Sequence, residues 1–340
     1  MDEPAFASYL QSVIPEAKEL RVENAFRILG GISRETWSLD AVWSEGGEER
    51  RRGLIFRLDP DRSLLDDRSD VEYQIYRALG EHTDLPIPQA LWFEGTGEWL
   101  GRVFFVTQRI DGCESSPQAL NQEPYVNHLD RFGRRFIEMH GELTRFDWSK
   151  AELPALGEPP ELDECWSREL DYWERVINDN RYAAQPTVRA GIDWLRRNPP
   201  PPAQRICVLN GDFRTGNQLY DREGTIHGWL DWELGHLGDP LEDLAWCFLP
   251  MWRWGTDKVG GVIAQDEAIR IWEETSGLRV DPDALRWWGI FQHVKVQGIW
   301  QGAVRAFGSG ESREMIYGMI ATGSQGSEDQ NLLSALGWAP

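Results

Sequence analysis

Two carboxylates and a carboxamide stand out in the run VLNGDFRTGNQLYDREGTIHGWLDWELGHLGDPLEDLAW, residues 208–246. The apolar stretch Ile206 to Leu209 reads as a short strand, and Asn210 to Asn217 as a polar loop. A second strand, Gln218 to Asp221, is joined through a Glu223-Gly224 turn to a third, Ile226 to Leu230, which ends on Asp231. A hairpin returns its two ends to one place, so Asp212, Asn217 and Asp231 can converge although they are distant along the chain. A carboxylate, an amide oxygen and a second carboxylate around one point make a hard, oxygen-donor site. Mg2+ prefers such ligands, with substrate phosphates and water completing its shell. Phosphoryl transfer has matching demands: an ion to neutralise charge on the β- and γ-phosphates, and a base to orient the attacking hydroxyl. Asp, Asn and Gly are also ordinary turn residues, so GDxxxGN in isolation is equally well turn chemistry.

The elements that must position these groups can be followed from the N-terminus. Residues 5–19 carry Phe6, Leu10, Val13 and Ile14 at helical spacing. Phe26 to Trp37 reads as strand, Gly30-Gly31 turn and strand, with Trp37, Leu39, Ala41 and Trp43 alternating in the second. A glycine tip lets backbone N–H groups approach phosphates, although the loop does not spell GxGxxG and alone is a plain hairpin. Glu45 to Arg52 reads as a charged, solvated turn. In the strand Leu54 to Leu58, alternation puts Ile55 and Arg57 on one face and Leu54, Phe56 and Leu58 on the other. Ser69 to Gly80 is a helix, with Val71, Ile75 and Leu79 as its apolar stripe. Strands follow at Ala90–Phe93 and Val103–Thr107, and Gln108 to Gly112 breaks the pattern. Helices are expected at Tyr125–Leu143, around Trp166 to Ile177, at Pro186–Arg197 and at Leu285–Phe307. His128 and His140 lie on the first of these without a ligand partner at useful spacing. Residues 309–330, rich in Gly, Ser and acid, are expected to be mobile.

Composition narrows the class. The 340 residues are 41% hydrophobic and 27% charged, as in a globular chain long enough for two cores. A net charge of −21 argues against a nucleic-acid partner and against docking on anionic membranes. It is compatible with a cationic substrate. The N-terminus lacks the features of a signal peptide, no apolar run is long enough to span a bilayer, and four scattered cysteines fit a reducing compartment. A cytoplasmic location is therefore expected.

The run NGDFRTGN followed by LDWELGHLGDPLEDLAW resembles the signature of the aminoglycoside phosphotransferase family, the small-molecule branch of the protein-kinase-like superfamily. GDPLEDLAW is most similar to the phosphotransferases fused to, or encoded beside, acyl-CoA dehydrogenases, and the similarity extends weakly over the whole chain. The resemblance implies an α+β, bilobal protein-kinase-like fold. Residues 1–111 would form a nucleotide-binding N-lobe of antiparallel sheet plus helix, and residues 112–340 a mostly helical C-lobe with the catalytic hairpin and an acceptor pocket. It implies ATP and Mg2+, with Asp212 as catalytic base, Asn217 and Asp231 on the metal, and Asp239 and Asp243 bracing the loop.

By the same resemblance Gly30, Gly31 and Ser33 would lie over the phosphates and Ile55 against adenine. Arg57 would bind the α- and β-phosphates, held by Glu72, with Gln108 and Ile110 in the hinge. An exposed Glu72 favouring the helix dipole is the competing reading. Trp246, Trp252, Trp288, His293 and Trp300 would line the acceptor pocket, although from the residues alone core packing is the favoured reading for most of these tryptophans. Two departures stand out: Asn210 replaces the usual His, and Arg57 the usual Lys. The expected activity is ATP- and Mg2+-dependent transfer of the γ-phosphoryl group to a hydroxyl of a small metabolic molecule, apolar or aromatic. An aminoglycoside or macrolide kinase, or a catalytically weak nucleotide-binding pseudokinase, are the alternatives.

Overall fold

The computed structural model describes residues 3–28, 34–59, 69–181, 184–310 and 315–338. Helix α1 (Glu3–Val13) stops short of the predicted 19, because Pro15 ends the helix and the chain turns into strand β1 (Lys18–Ile28). β2 (Glu35–Glu45) and β3 (Glu48–Leu58) are joined by Gly46-Gly47, whose φ angles of 62° and 86° suit a two-residue hairpin turn. The charged stretch 45–52 is therefore a turn only at its glycines, and Glu48 to Arg52 continue the strand, with Trp43 opposite Arg50. Helix α2 (Ser69–His82) and strands β4 (Ala90–Glu94) and β5 (Phe104–Gln108) complete an antiparallel sheet of order β1-β2-β3-β5-β4.

Period-2 alternation gives that sheet two apolar faces. Leu54, Phe56, Leu58, Phe104 and Val106 pack with Phe6, Tyr9 and Leu10 of α1. Phe105 points the other way, into the large core that holds Val71, Ile75 and Leu79 of α2. β3 is thus fixed from both sides, and Ile55 and Arg57 project from the face that α2 covers.

The rest is mainly helical. α3 (Leu129–Leu143), α4 (Cys165–Asp179) and α5 (Pro186–Arg197) lead to β6 (Cys207–Leu209), β7 (Gln218–Tyr220), β8 (Ile226–Trp229) and β9 (His236–Gly238). α6 (Leu241–Cys247), α7 (Gln265–Ser276), α8 (Pro282–Gly308), α9 (Met315–Met319) and α10 (Gln325–Ala335) follow. β7 pairs antiparallel with β8, and β6 with β9, a strand the sequence reading did not anticipate. The segment 309–330 was expected to be mobile; its described residues include α9, a short π-helical turn (Ile320–Ser324) and the start of α10. Leu332 of α10 is fully buried in the main core, which gives that Gly- and Ser-rich sequence a tertiary reason to be helical. Among the described residues no helix is long and apolar enough to cross a membrane.

Candidate active site

β6 delivers the polar loop 210–217 and β7–β8 returns to it, as the spacing required. Leu230 N–H donates to the Asn217 carbonyl at 2.8 Å, and Asn210 Nδ2 donates to the Asp231 carbonyl at 2.9 Å. These two bonds bring the outer members of the triad to one point. Asn217 Nδ2 donates to both the main-chain oxygen (2.9 Å) and the carboxylate (2.8 Å) of Asp212. With its nitrogen so engaged, Asn217 has Oδ1 left as its free ligand atom.

Asp231 sits at φ 67°, a left-handed conformation that Asp tolerates and few other side chains do. Its N–H is held by the Tyr76 hydroxyl of α2 at 3.1 Å. Asn210 therefore does structural work where the family usually has His: one side-chain bond fixes the carbonyl of the strained residue. The main-chain N–H groups of Asn210 and Gly211 both donate to Asp243 of α6, at 2.7 and 2.8 Å. Asp239 accepts from Leu241 N–H and from Trp288 Nε1, at 3.0 and 2.9 Å.

Gly211 has a positive φ of 79°, and a Cβ there would lie 2.4 Å from the Leu234 carbonyl oxygen. Gly211→Ala is expected to lower the melting midpoint by at least about 2 °C. A calorimetric scan checks this, and an unchanged melt would mean that the loop relaxes freely.

Asp212 is largely buried. Burial pushes its carboxyl above the ordinary Asp range, and the guanidinium of Arg214 works in the opposite direction. Arg214 Nε lies 3.0 and 2.9 Å from the two carboxylate oxygens, and Trp246 Nε1 donates to Oδ1 at 2.8 Å. Arg214 also lies over the ring of Trp252, 4.9 Å from its centroid. Trp254 Nε1 donates to Thr215 Oγ1 at 3.0 Å, which ties the segment after α6 onto the same loop.

On the sheet side, Arg57 Nη2 bridges Asp231 at 2.9 Å and Glu72 at 3.3 Å. Glu72 is fully buried rather than exposed, and it also meets Arg34 Nε at 3.1 Å. Ile110 reaches the β7–β8 hairpin, where its Cδ1 lies close to Gly228, beside Leu219. The N–H groups of Gln108 and Arg109 are already bonded, to the carbonyls of Gln89 (2.9 Å) and Gly53 (3.0 Å). Gly30, Gly31 and Ser33 lie outside the described residues.

The five candidate pocket residues fall in three places. The rings of Trp246 and Trp252 lie 5.7 Å apart and tilted by 49°, and Trp300 packs against the same small cluster, whose Trp246 meets Asp212. Trp288 does not join them: it is fully buried and bonded to Asp239. His293 bonds Glu328 and lines a different cavity, of about 590 Å³, with Phe248, Leu249, Ile269, Leu285 and Ile290. Helical spacing alone could not tell which face of α8 looks toward Asp212. His140, read as a packing residue, is buried, accepts from Trp272 Nε1 at 2.7 Å and stacks on Phe213.

Three contributors were not singled out from the sequence: Arg214, Arg34 and Tyr76. Arg214 had a signal, standing two residues after Asp212. Arg34 follows the glycine turn, but its reach to Glu72 is a tertiary fact.

The profile of the phosphotransferase enzyme family matches residues 31–288, most of the chain. The chain belongs to this phosphotransferase family. Acyl-CoA dehydrogenase family member 11 of Gallus gallus is 26% identical over 267 residues, which is 74% of this chain and 34% of that protein. The chain spans about a third or less of the length of such curated relatives. Among solved structures, one from Ralstonia eutropha, provisionally described as an aminoglycoside phosphotransferase, superimposes with a TM-score of 0.77 at 19% identity. That alignment covers 99% of this chain and 98% of the other. The aminoglycoside phosphotransferase APH(4)-Ia, in complex with ADP and hygromycin B, gives 0.58 at 17% identity and covers 97% and 98%. Phosphotransferase family and protein-kinase-like fold thus agree with the antiparallel sheet and helical half described above.

Proposed function

We propose that the chain transfers the γ-phosphoryl group of ATP to a hydroxyl of a small metabolic molecule with an apolar or aromatic body. The observation that carries this is the meeting of Asp212, Asn217 and Asp231 with Arg57, at the junction of the sheet with the catalytic loop. The nucleotide-binding lobe is read as residues 1–111 and the acceptor-binding lobe as 112–340. The family's ADP-bound relative supports ATP as donor.

The donor set fits Mg2+: Asn217 keeps its amide oxygen free, and Asp231 offers a carboxylate held by main-chain bonds on both sides of its Cα. Bound there, the ion would neutralise charge on the β- and γ-phosphates. Asp212 accepts the acceptor's proton and aims its oxygen. Burial supports that task, since a carboxylate with a raised pKa is a better base. Arg214 stands beside Asp212, where it stabilises charge on the transferred group. Arg57 grips the phosphates, and Glu72, buried between Arg57 and Arg34, keeps it in place. Ile55 and Ile110 border the adenine.

Trp246, Trp252 and Trp300 form the aromatic wall of the acceptor site. Such a wall favours a ring or an aliphatic body over a polyamine sugar, because pockets of this kind are mostly apolar with few placed polar groups. The test is ATP consumption across hydroxylated acids, acyl-CoA esters, phenols, amino alcohols and aminoglycosides. Acceleration by a phenol, hydroxy acid or hydroxyacyl ester is expected. Acceleration by aminoglycosides alone would replace this reading with an antibiotic kinase, and nucleotide binding without any turnover would indicate a pseudokinase.

A further inference from the structure

A second group of ionisable side chains lies behind the catalytic loop, drawn from four elements: Glu169 on α4, His236 on β9, Glu242 on α6 and Lys295 on α8. Glu242 is fully buried and shared, with Oε2 3.1 Å from His236 Nε2 and Oε1 3.0 Å from Lys295 Nζ. His236 Nδ1 lies 2.9 Å from the Leu234 carbonyl, which fixes that nitrogen as a donor and aims Nε2 at Glu242 and at Glu169, 3.6 Å away. Lys295 is buried too, and it donates to the Gly211 carbonyl at 2.8 Å. Its ammonium also lies 5.0 Å from the ring centroid of Trp246. Gly211 immediately precedes Asp212, and Trp246 donates to the Asp212 carboxylate. Lys295 therefore touches both supports of the proposed base without touching the base itself.

Resting on the phosphotransfer reading above, we propose that Lys295, Glu242, His236 and Glu169 form a charge-balanced network that positions the catalytic loop, with Lys295 as the residue that transmits it to Asp212. Two cations and two carboxylates cancel, which is how buried charges become tolerable. Removing one partner leaves another uncompensated, so the network holds Lys295 against Gly211 from several directions at once.

The ligand atoms of Glu169, His236 and Glu242 lie within 4.8 Å of one another, and a divalent transition metal is the competing occupant. Lys295 weighs against it, since it already places a positive charge on Glu242.

The protonation of His236 and Glu242 supports the same assignment. Burial opposes a charge on His236, but Glu169 and Glu242 raise its imidazole to about 9, while Lys295 acts in the opposite sense. Burial alone would raise Glu242, yet Lys295 and His236 bring it to about 2. Burial pushes Glu169 up and Glu242 adds to that, with His236, Lys295 and the neighbouring Arg168 opposing the shift. A raised histidine keeps its charge through neutral pH and loses it as pH climbs through about 9.

The experiment measures ATP hydrolysis by the full chain at saturating Mg·ATP, without acceptor, alongside an NMR titration of the His236 ring assigned with His236→Gln. Lys295→Met is expected to lower kcat about 10- to 100-fold, with the KM for ATP changed less than about threefold. Lys295→Arg should recover part of the loss, since it keeps the charge. Wild-type kcat should fall near pH 9, and that limb should vanish in His236→Gln. The His236 pKa should drop toward its ordinary value in Glu242→Gln. Glu169→Gln, at a partly exposed position, keeps the test open should Lys295→Met fail to fold; it should shift both the alkaline limb and the His236 pKa downward.

Wild-type kcat in folded Lys295→Met, an unshifted His236 pKa in the glutamine variants, or a stoichiometric transition metal in the purified chain would overturn the network. Absence of hydrolysis by the wild type would instead count against phosphotransfer, and the NMR titration would still decide the network.

Discussion

Asp212→Ala is expected to reduce ATP turnover by at least about 10³-fold while changing nucleotide affinity by less than about threefold. The reason is where Asp212 stands. Its carboxylate is held by Asn217 Nδ2, Trp246 Nε1 and Arg214 Nε, all on the helical side, whereas the residues proposed to grip the nucleotide, Arg57 and Glu72, lie on the sheet and α2. Removing the carboxylate deletes the proton acceptor and frees the arginine that faced it. It leaves the Arg57–Glu72 pair untouched. Isothermal titration with ATP and a coupled ADP assay on the same preparation separate the two quantities. A turnover within tenfold of wild type would remove Asp212 from the mechanism, and a parallel loss of nucleotide affinity would show that the substitution disturbs more than the base. Asp212→Asn provides the milder comparison, since it keeps the hydrogen bonds from Trp246 and Arg214 to one oxygen.

How far the sequence reached depends on whether a residue's partner lies nearby in the chain. The hairpin between Gln218 and Trp229 was legible, because alternation and a glycine turn are local signals. So was the α2 stripe, and so was the sidedness of Ile55 and Arg57 on β3. The pairing of Arg57 with Glu72 could be anticipated only through resemblance, and the structure adds that Glu72 also holds Arg34. The placement of the tryptophans proposed for the acceptor wall was not legible. Trp246 and Trp288 both lie in tryptophan-rich helical segments, yet Trp246 donates to Asp212 and Trp288 to Asp239. Which carboxylate a tryptophan meets is decided by how α8 packs on α6, and periodicity carries no information about that.

β9 was missed for a related reason. The stretch His236–Gly238 is three residues long and pairs with a strand that lies well before it in the chain. That missed strand carries His236 toward Glu242 and Lys295, so the network behind the loop was invisible until the pairing was known. Asn210 teaches the converse. It departs from the family pattern, yet its side chain closes the bond to the Asp231 carbonyl that joins the start of the polar loop to the end of the hairpin.

The second large effect concerns Asp231. Asp231→Asn should lower turnover by about 10²-fold or more and raise the Mg2+ concentration needed for half-maximal rate, because one of the two proposed ligands loses its charge. Removal of Mg2+ with a chelator should abolish turnover in wild type, and readdition should restore it. The substitution leaves the local backbone in place. The left-handed backbone is held by main-chain bonds to Tyr76 and Asn210, and Asn tolerates that conformation as Asp does.

What the carboxylate does contact is Arg57, at 2.9 Å. Loss of its charge therefore weakens the tie between β3 and the hairpin at the same time as it weakens the proposed ligand set. The two consequences can be separated by salt and by metal. A disturbed ion pair changes stability and is not repaired by Mg2+, whereas a weakened ligand set is rescued in part by excess Mg2+ or by Mn2+. Turnover in Asp231→Asn with the wild-type metal requirement would take Asp231 out of the metal site and leave it as the anchor for Arg57.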